Sequence, residues 1–410
     1  MKRRIACLLI CVCLLLCMAL PAGAQDEGAA FTDRGRIRNV GAVQMLVDLG
    51  LISGYDDGTF RPGNFITREE VAKLVAILCT ENPQAPADVY FYDAQNSWAL
   101  DYIGYCAGQG IIAGDGMGSF RPKDNVTAQE LAKMLLVILG QNPETYSGAG
   151  WDERVNADAQ SFGIYYGLTA QVNQPVTRDN ACLLIYNAMR CPAIADLDAE
   201  GPARYVLDDL MNPRSYLEVR YDLTRYTAVL TGNEYADLTS NDGRLDAGVT
   251  KLAGHKEFAV SSDLSLLGRE VDIYVKDGRV FGIPCYVTSE LYYTFENAQA
   301  LSKLLSGGAF SMADDALYYY NYNEAGSEVL TRSGTRLTVI DHNNDTQFDT
   351  VLAVSCQQAE VVSVLPLRVR VGQDVLDAEK YCMTDVFSEG EAVWYMELAG
   401  QGFVQPMHEN

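Results

Sequence analysis

Two regimes of hydrophobic patterning divide the chain. Up to about residue 191 apolar positions recur at helical spacing, and from about residue 205 they alternate at strand spacing. In the helical half, Val40 to Leu49 and Trp98 to Ala107 are apolar-periodic segments that stop at Gly50 and Gly110. A glycine there predicts a left-handed residue just past a helix end. A turn rich in Asp and Gly follows, with Asp56, Asp57 and Gly58 where positive φ is tolerated. Thr67 then predicts an N-cap, and Glu70 three residues on completes a capping box for a helix running through Leu78. Thr127 and Glu130 repeat the box. Thr177 repeats the cap alone, since Asn180 stands where the glutamate would be.

Past Pro192 the pattern changes. Residues 192–204 read as a linker around Asp196-Leu-Asp-Ala-Glu-Gly-Pro202. Val271 to Val275 and Arg279 to Ile283 flank Asp277-Gly278, the signature of a hairpin with a type I′ turn. Arg336 to Ile340 with Thr350 to Val354 predicts a second hairpin, and Glu391 to Met396 followed by Gly400-Gln-Gly402 a third. The expected organisation is two small β modules, barrels or sandwiches, over residues 205–290 and 325–410. Residues 291–324 would join them, with Ala298 to Leu305 as the helical stretch. The fold class is thus multidomain α+β, all-α first and mostly β afterwards.

The helical half also repeats itself. Shifted by sixty residues, Gly50-Leu-Ile-Ser-Gly54 falls on Gly110-Ile-Ile-Ala-Gly114, and Gly58-Thr-Phe60-Arg61-Pro62 falls on Gly118-Ser-Phe120-Arg121-Pro122. Phe31-Thr-Asp33 likewise meets Phe91-Tyr-Asp93, and a degraded third copy ends in Val176-Thr177-Arg178-Asp179. These motifs, with Ile66-Thr67-Arg68-Glu69-Glu70, resemble the S-layer homology (SLH) domain. Three repeats would span residues 31–85, 91–142 and 148–191. The resemblance implies a pseudo-threefold helical spindle whose inter-repeat grooves bind anionic, pyruvylated secondary cell-wall polysaccharide on the sacculus. It implies polymer contacts for Arg68 and Arg178, and roles there for Asp33, Asp93 and Trp98; Ala128 replaces the arginine in repeat two. An arginine at a helix start suits such a ligand, because its fork pairs with a carboxylate where the helix dipole also favours negative charge. The bland alternatives are a helix-start cap for Asp33 and a core anchor for Trp98.

Composition adds the compartment. Lys2, Arg3 and Arg4 precede an apolar run from Ile5 to Leu20 and then Pro21-Ala-Gly-Ala24, a signal peptide over residues 1–24. No later segment is long and apolar enough to span a bilayer, so no membrane partner is expected after cleavage. The expected location is outside the cell, at the wall or S-layer surface, with other S-layer proteins as further partners. The formal net charge of -23 becomes about -26 without those three cations, which argues against nucleic acid and requires a local basic pocket for any anionic ligand. Four of the eleven cysteines leave with the signal; the remaining seven are widely spaced in apolar segments and read as buried thiols.

One loop, Asp341-His-Asn343-Asn-Asp345-Thr-Gln347-Phe-Asp349, places oxygen side chains at alternate positions, as a calcium loop does. Thr346 occupies the place of the turn glycine and Leu352 that of the bidentate glutamate, so an Asx-rich turn explains the same residues. No other cofactor is expected. The mature chain has only His255, His342 and His408, with no His-Glu-x-x-His, Gly-x-Ser-x-Gly or phosphate-binding glycine loop. The expectation is a surface protein and not an enzyme; a carbohydrate-binding β half or an enzyme with an unrecognised site is the alternative.

Overall fold

The computed structural model describes residues 31–84, 86, 90–195, 204–287 and 290–407. The signal peptide and residues 196–203 of the linker lie outside the described residues.

Among the described residues, six α-helices build the N-terminal half: α1 (Val40–Asp48), α2 (Arg68–Cys79), α3 (Leu100–Gly108), α4 (Ala128–Ile138), α5 (Trp151–Ser161) and α6 (Arg178–Arg190). Their boundaries follow local chemistry. Thr67 and Thr127 accept from the N–H groups of Glu70 and Glu130, whose carboxylates reach back to the caps, so both boxes form. Thr177 accepts from the Asn180 N–H without the reciprocal bond. Gly50 and Gly110 adopt φ +71° just past α1 and α3. A seventh helix, α7 (Tyr216–Tyr221), starts from a further capping box of Ser215 and Glu218. It belongs to the helical body: Leu217 and Leu223 enter the same core as Leu46, Leu135 and Ile185, and the Tyr216 hydroxyl donates to the Leu78 carbonyl at 3.1 Å. The start of the stretch read as a linker is also structured, since Pro192 bridges Ser215 and Ile194 bridges Tyr205.

Among the described residues the C-terminal half forms three open sheets. Sheet I runs Glu257–Phe258, Thr250–Leu252, Thr224–Gly232, Glu270–Lys276, Arg279–Tyr286 in spatial order. Sheet II runs Leu291–Phe295, Thr335–Asp341, Gln347–Ser355, Ser311–Tyr320, Asn323–Ala325. Sheet III runs Asp374–Asp377, Leu367–Val371, Gln357–Val364, Ala392–Leu398, Gln401–Pro406, Glu379–Lys380. The three expected hairpins are all present, and Asp277 (φ +52°) and Gly278 (φ +79°) make the left-handed pair of a type I′ turn.

The barrel expectation is corrected, because no sheet closes among the described residues. Residues 291–324 are also more than a connection. Leu291–Phe295 pairs with Thr335–Asp341, and Ser311–Tyr320 lies parallel to Gln347–Ser355, with helix α8 (Ala298–Ser306) on the crossover. Leu230 and Ile273 of sheet I, Ile340 and Leu352 of sheet II, and Met396 and Phe403 of sheet III share one apolar cluster.

Helical body and sheet I are packed together. Gly282 sits so close to α1 that a Cβ there would lie 2.8 Å from Met45 Cε, and its N–H donates to Asp48 Oδ2 at 2.8 Å. Arg190 of α6 pairs with buried Asp272 at 3.1 Å, and the Tyr186 hydroxyl meets Cys285 Sγ at 2.9 Å. The second half is therefore held against α1 and α6 by hydrogen bonds and an ion pair as well as by apolar contact.

Candidate functional site

The starts of α2, α4 and α6 meet in a closed ring of backbone hydrogen bonds. Ile66 N–H donates to Val176 O (3.2 Å), Val176 N–H to Val126 O (2.8 Å) and Val126 N–H to Ile66 O (3.1 Å). All three aliphatic side chains are buried. Immediately beyond, each helix start leans on the loop of a neighbouring copy: Arg68 N–H donates to Asp124 O, Arg178 N–H to Asn64 O and Ala128 N–H to Gln174 O. The ring turns three sequence-distant segments into three equivalent junctions.

Arg68 and Arg178, singled out as polymer contacts, are buried in these junctions. Arg68 Nε donates to Phe120 O (2.8 Å) and Nη2 to Ala113 O (2.9 Å), with the guanidinium 4.6 Å from the Phe120 ring. Arg178 makes the same pair of bonds to Phe60 O and Ser53 O, both 3.1 Å, beneath the rings of Tyr55 and Phe60. In this structure both side chains tie a neighbouring Gly/Asp loop to the ring. Ala128, buried at the third junction, provides no such tie.

Asp33 and Asp93 hold the same loops from within their own copies. The Asp33 carboxylate accepts from the N–H groups of Phe60 and Arg61, each at 2.8 Å; Asp93 accepts from Phe120, Arg121 and the Ser119 hydroxyl. Arg61 and Arg121 are left-handed, at φ +56° and +58°, and the paired bonds stabilise that turn. The helix-cap alternative for Asp33 does not hold, because its side chain caps no helix. Burial alone would push Asp93 up, but its three donors hold it below the usual aspartate value.

Trp98 is the exception among the expected residues. It is 54% exposed, so it is no core anchor, and its indole N–H donates to Glu69 Oε1 at 2.8 Å. Glu69, which the sequence reading passed over, is buried and also accepts from the Ser97 hydroxyl and Lys123 Nζ. Burial opposes its ionisation, yet Lys123, Ser97 and Trp98 together hold it below the ordinary glutamate value. The equivalent junction between copies three and one places Asp179 against the N–H groups of Arg38 and Asn39, 3.0 and 3.1 Å away. There burial wins and pushes Asp179 up. At the third junction the neutral Gln129 takes this place, 3.4 Å from Asn156. Glu69, Gln129 and Asp179 share one offset in the repeat, each following the residue after the threonine cap. That offset was the available signal.

Of the sequence-selected residues, Arg68, Asp93 and Trp98 come together at the first junction, joined by Lys123 and Arg121. Arg178 and Asp33 converge on the loop around Phe60. The first junction thus offers an exposed indole beside basic side chains on an otherwise acidic molecule.

The loop considered for calcium uses its oxygens on its own backbone. Asp341 accepts from the N–H groups of Asp345 and Thr346, Asp345 from Gln347, and Asp349 from His342, while Asn343 Oδ1 accepts from Asp345. Among the described residues no group of three or more His, Cys, Asp and Glu side chains is gathered as a metal site. The arrangement fits the Asx-rich turn. The seven cysteines among the described residues are free thiols, and burial pushes Cys79 and Cys356 each up to about 11. No helix among the described residues is long and apolar enough to cross a membrane.

Comparison with known proteins gives these junctions a context. The model of the S-layer homology domain matches residues 30–72 and 90–132, the first two copies. The chain is 36% identical over 123 residues to an uncharacterized cell wall amidase of Bacillus anthracis, covering 30% of this chain and 22% of that protein. It is 32% identical over 96 residues to S-layer protein EA1 of Bacillus anthracis, 23% of this chain and 11% of the relative. The Middle cell wall protein of Brevibacillus brevis is 24% identical over 261 residues, 58% of this chain and 24% of the relative. The chain spans about a tenth to a quarter of the length of these relatives. Its N-terminal half carries the S-layer homology domain, and the chain is a protein of the cell-wall or S-layer surface.

Proposed function

We propose that the chain is held non-covalently on the cell wall by its helical half, a three-repeat spindle that grips an anionic secondary polysaccharide in its junctions. The carrying observation is the first junction, where exposed Trp98 stands beside Lys123 and above the Arg68-braced loop. An indole face suits a sugar ring, and the exposed ammonium of Lys123 and guanidinium of Arg121 suit a carboxylate such as a pyruvate ketal, while buried Arg68 shapes the loop. The second working junction has Arg178 with Arg38, and the third, with Ala128 and Gln129, serves mainly to close the ring. The third repeat rests on Thr177 capping α6 at the same place in the ring as Thr67 and Thr127.

The β half is displayed from this anchor as a structural part of the surface layer and catalyses no reaction. The resemblance to the amidase reaches 30% of this chain and carries no activity across to the sheets. The test is sedimentation of the mature protein with purified sacculi, before and after chemical removal of their secondary polymer. Binding lost with the polymer supports the reading; equal binding to stripped sacculi overturns it.

A further inference from the structure

A cleft of about 310 Å³ opens between sheets I and II. We infer that it binds a primary ammonium group carried on a small body, either an amino sugar or the amine of a short peptide side chain.

The lining decides the charge of the ligand. Asp315, Leu317 and Tyr319 alternate along Ser311–Tyr320 and present one face to the cleft, while Asp349 and Thr350 enter from the adjacent strand Gln347–Ser355 and His342 from the turn that precedes it. Two carboxylates line it and no lysine or arginine does. Asp315 is exposed and has no hydrogen-bond or ion-pair partner among the described residues. Asp349 uses Oδ2 to accept the His342 N–H at 2.8 Å, which leaves Oδ1 for a ligand. An ammonium donates three hydrogen bonds and accepts none, which suits two carboxylates and a tyrosine. The apolar side, with Leu317 56% exposed and aliphatic residues of sheet I opposite, suits the carbon body of the ligand.

The polar wall is built from beneath. His342 Nε2 lies 3.3 Å from the Thr350 hydroxyl, and Nδ1 lies 3.3 Å from Glu290 Oε2 without an aligned hydrogen bond. Glu290 is fully buried and fixed by Arg269 Nε at 2.6 Å and the Glu270 N–H at 3.0 Å. Arg269 is clasped in turn by the rings of Tyr286 and Tyr292, 4.5 and 4.0 Å away. The imidazole therefore faces the cleft in one orientation, on a support that wall anchoring does not require.

The test is calorimetric titration of the full mature chain with D-glucosamine and with L-lysine amide, with N-acetylglucosamine as the neutral control. Saturable binding of either amine, absent for the neutral sugar, supports the cleft, and which amine binds identifies the source of the ammonium. Asp315→Asn, at an exposed position, is expected to weaken binding by about tenfold or more while leaving the melting temperature unchanged. Asp349→Asn serves as the second variant, read only if its melting temperature is retained. No binding of either amine, or binding indifferent to Asp315→Asn, overturns the proposal. Because the probes are free in solution, this failure is separable from failure of wall attachment.

Discussion

The guanidinium of Arg178 donates to the carbonyl of Phe60, 3.1 Å away and 118 residues earlier in the chain. With the bond to Ser53, it makes the loop of the first copy depend on the helix of the third. A residue singled out for ligand contact is thus also part of what shapes the junction.

Removing that side chain should therefore cost stability. Arg178→Ala leaves the buried Phe60 carbonyl and the partly buried Ser53 carbonyl without their donor and empties the space under Tyr55 and Phe60. A loss of about 2–4 kcal/mol is expected, with Arg68→Ala similar. Urea unfolding followed by circular dichroism checks this; an unchanged midpoint would mean that the arginines serve the ligand alone.

Trp98 and Lys123 separate binding from folding. Both are exposed but partner the buried Glu69 carboxylate, so in a Glu69→Gln background, which leaves no buried charge behind, Trp98→Ala and Lys123→Ala should cost less than about 1 kcal/mol of stability. Together they should weaken sedimentation with sacculi by about tenfold or more. Full retention on the wall would remove the first junction from the proposed binding surface.

The carboxylates predict opposite acid responses. Glu69 and Asp93 sit below their ordinary values, so their contribution is present above those values and lost as pH falls through the lower folded values. Asp179 sits above its ordinary value, so its ionised form weakens the fold at neutral pH, and that penalty is relieved as pH falls through the raised value. Glu69→Gln should flatten the loss of stability below the usual glutamate range, whereas Asp179→Asn should remove the compensating gain. Unfolding midpoints measured from pH 2 to pH 6 distinguish the two slopes.

The joint between the halves rests on a missing side chain. Gly282→Ala forces a Cβ against Met45 at a left-handed backbone position (φ +70°). A destabilisation of about 1–3 kcal/mol is expected. Limited proteolysis should then cut the variant more readily, and Gly282→Asn, which adds the same Cβ and a larger side chain, should be at least as damaging. Equal protease resistance in all three proteins would show that α1 does not depend on this approach.

How much of this was readable in advance follows the range of each interaction. The caps at Thr67, Thr127 and Thr177 and the type I′ turn at Asp277-Gly278 form within a few residues, so the sequence displays donor and acceptor together. The repeat itself was legible because a sixty-residue period survives substitution of individual positions. Leu291-Tyr-Tyr-Thr-Phe295 was not read as a strand, since its partner Thr335–Asp341 lies some forty residues on and supplies the hydrogen bonds that define it. Trp98 carried no mark of exposure, because an indole is equally at home in a core.

By itself the sequence determined the helical and β halves, the capped repeats, the acidic surface and the residues worth watching at each junction. Tertiary structure decided what those residues do. It closed Ile66, Val126 and Val176 into a ring and turned Arg68 and Arg178 toward carbonyls in neighbouring copies. It also drew Trp98 onto Glu69 at the surface and Asp315, His342 and Asp349 into one cleft. Capping and turn energies are local and so are written in neighbouring letters. Side-chain partners across a junction are set by where the packed core brings distant segments.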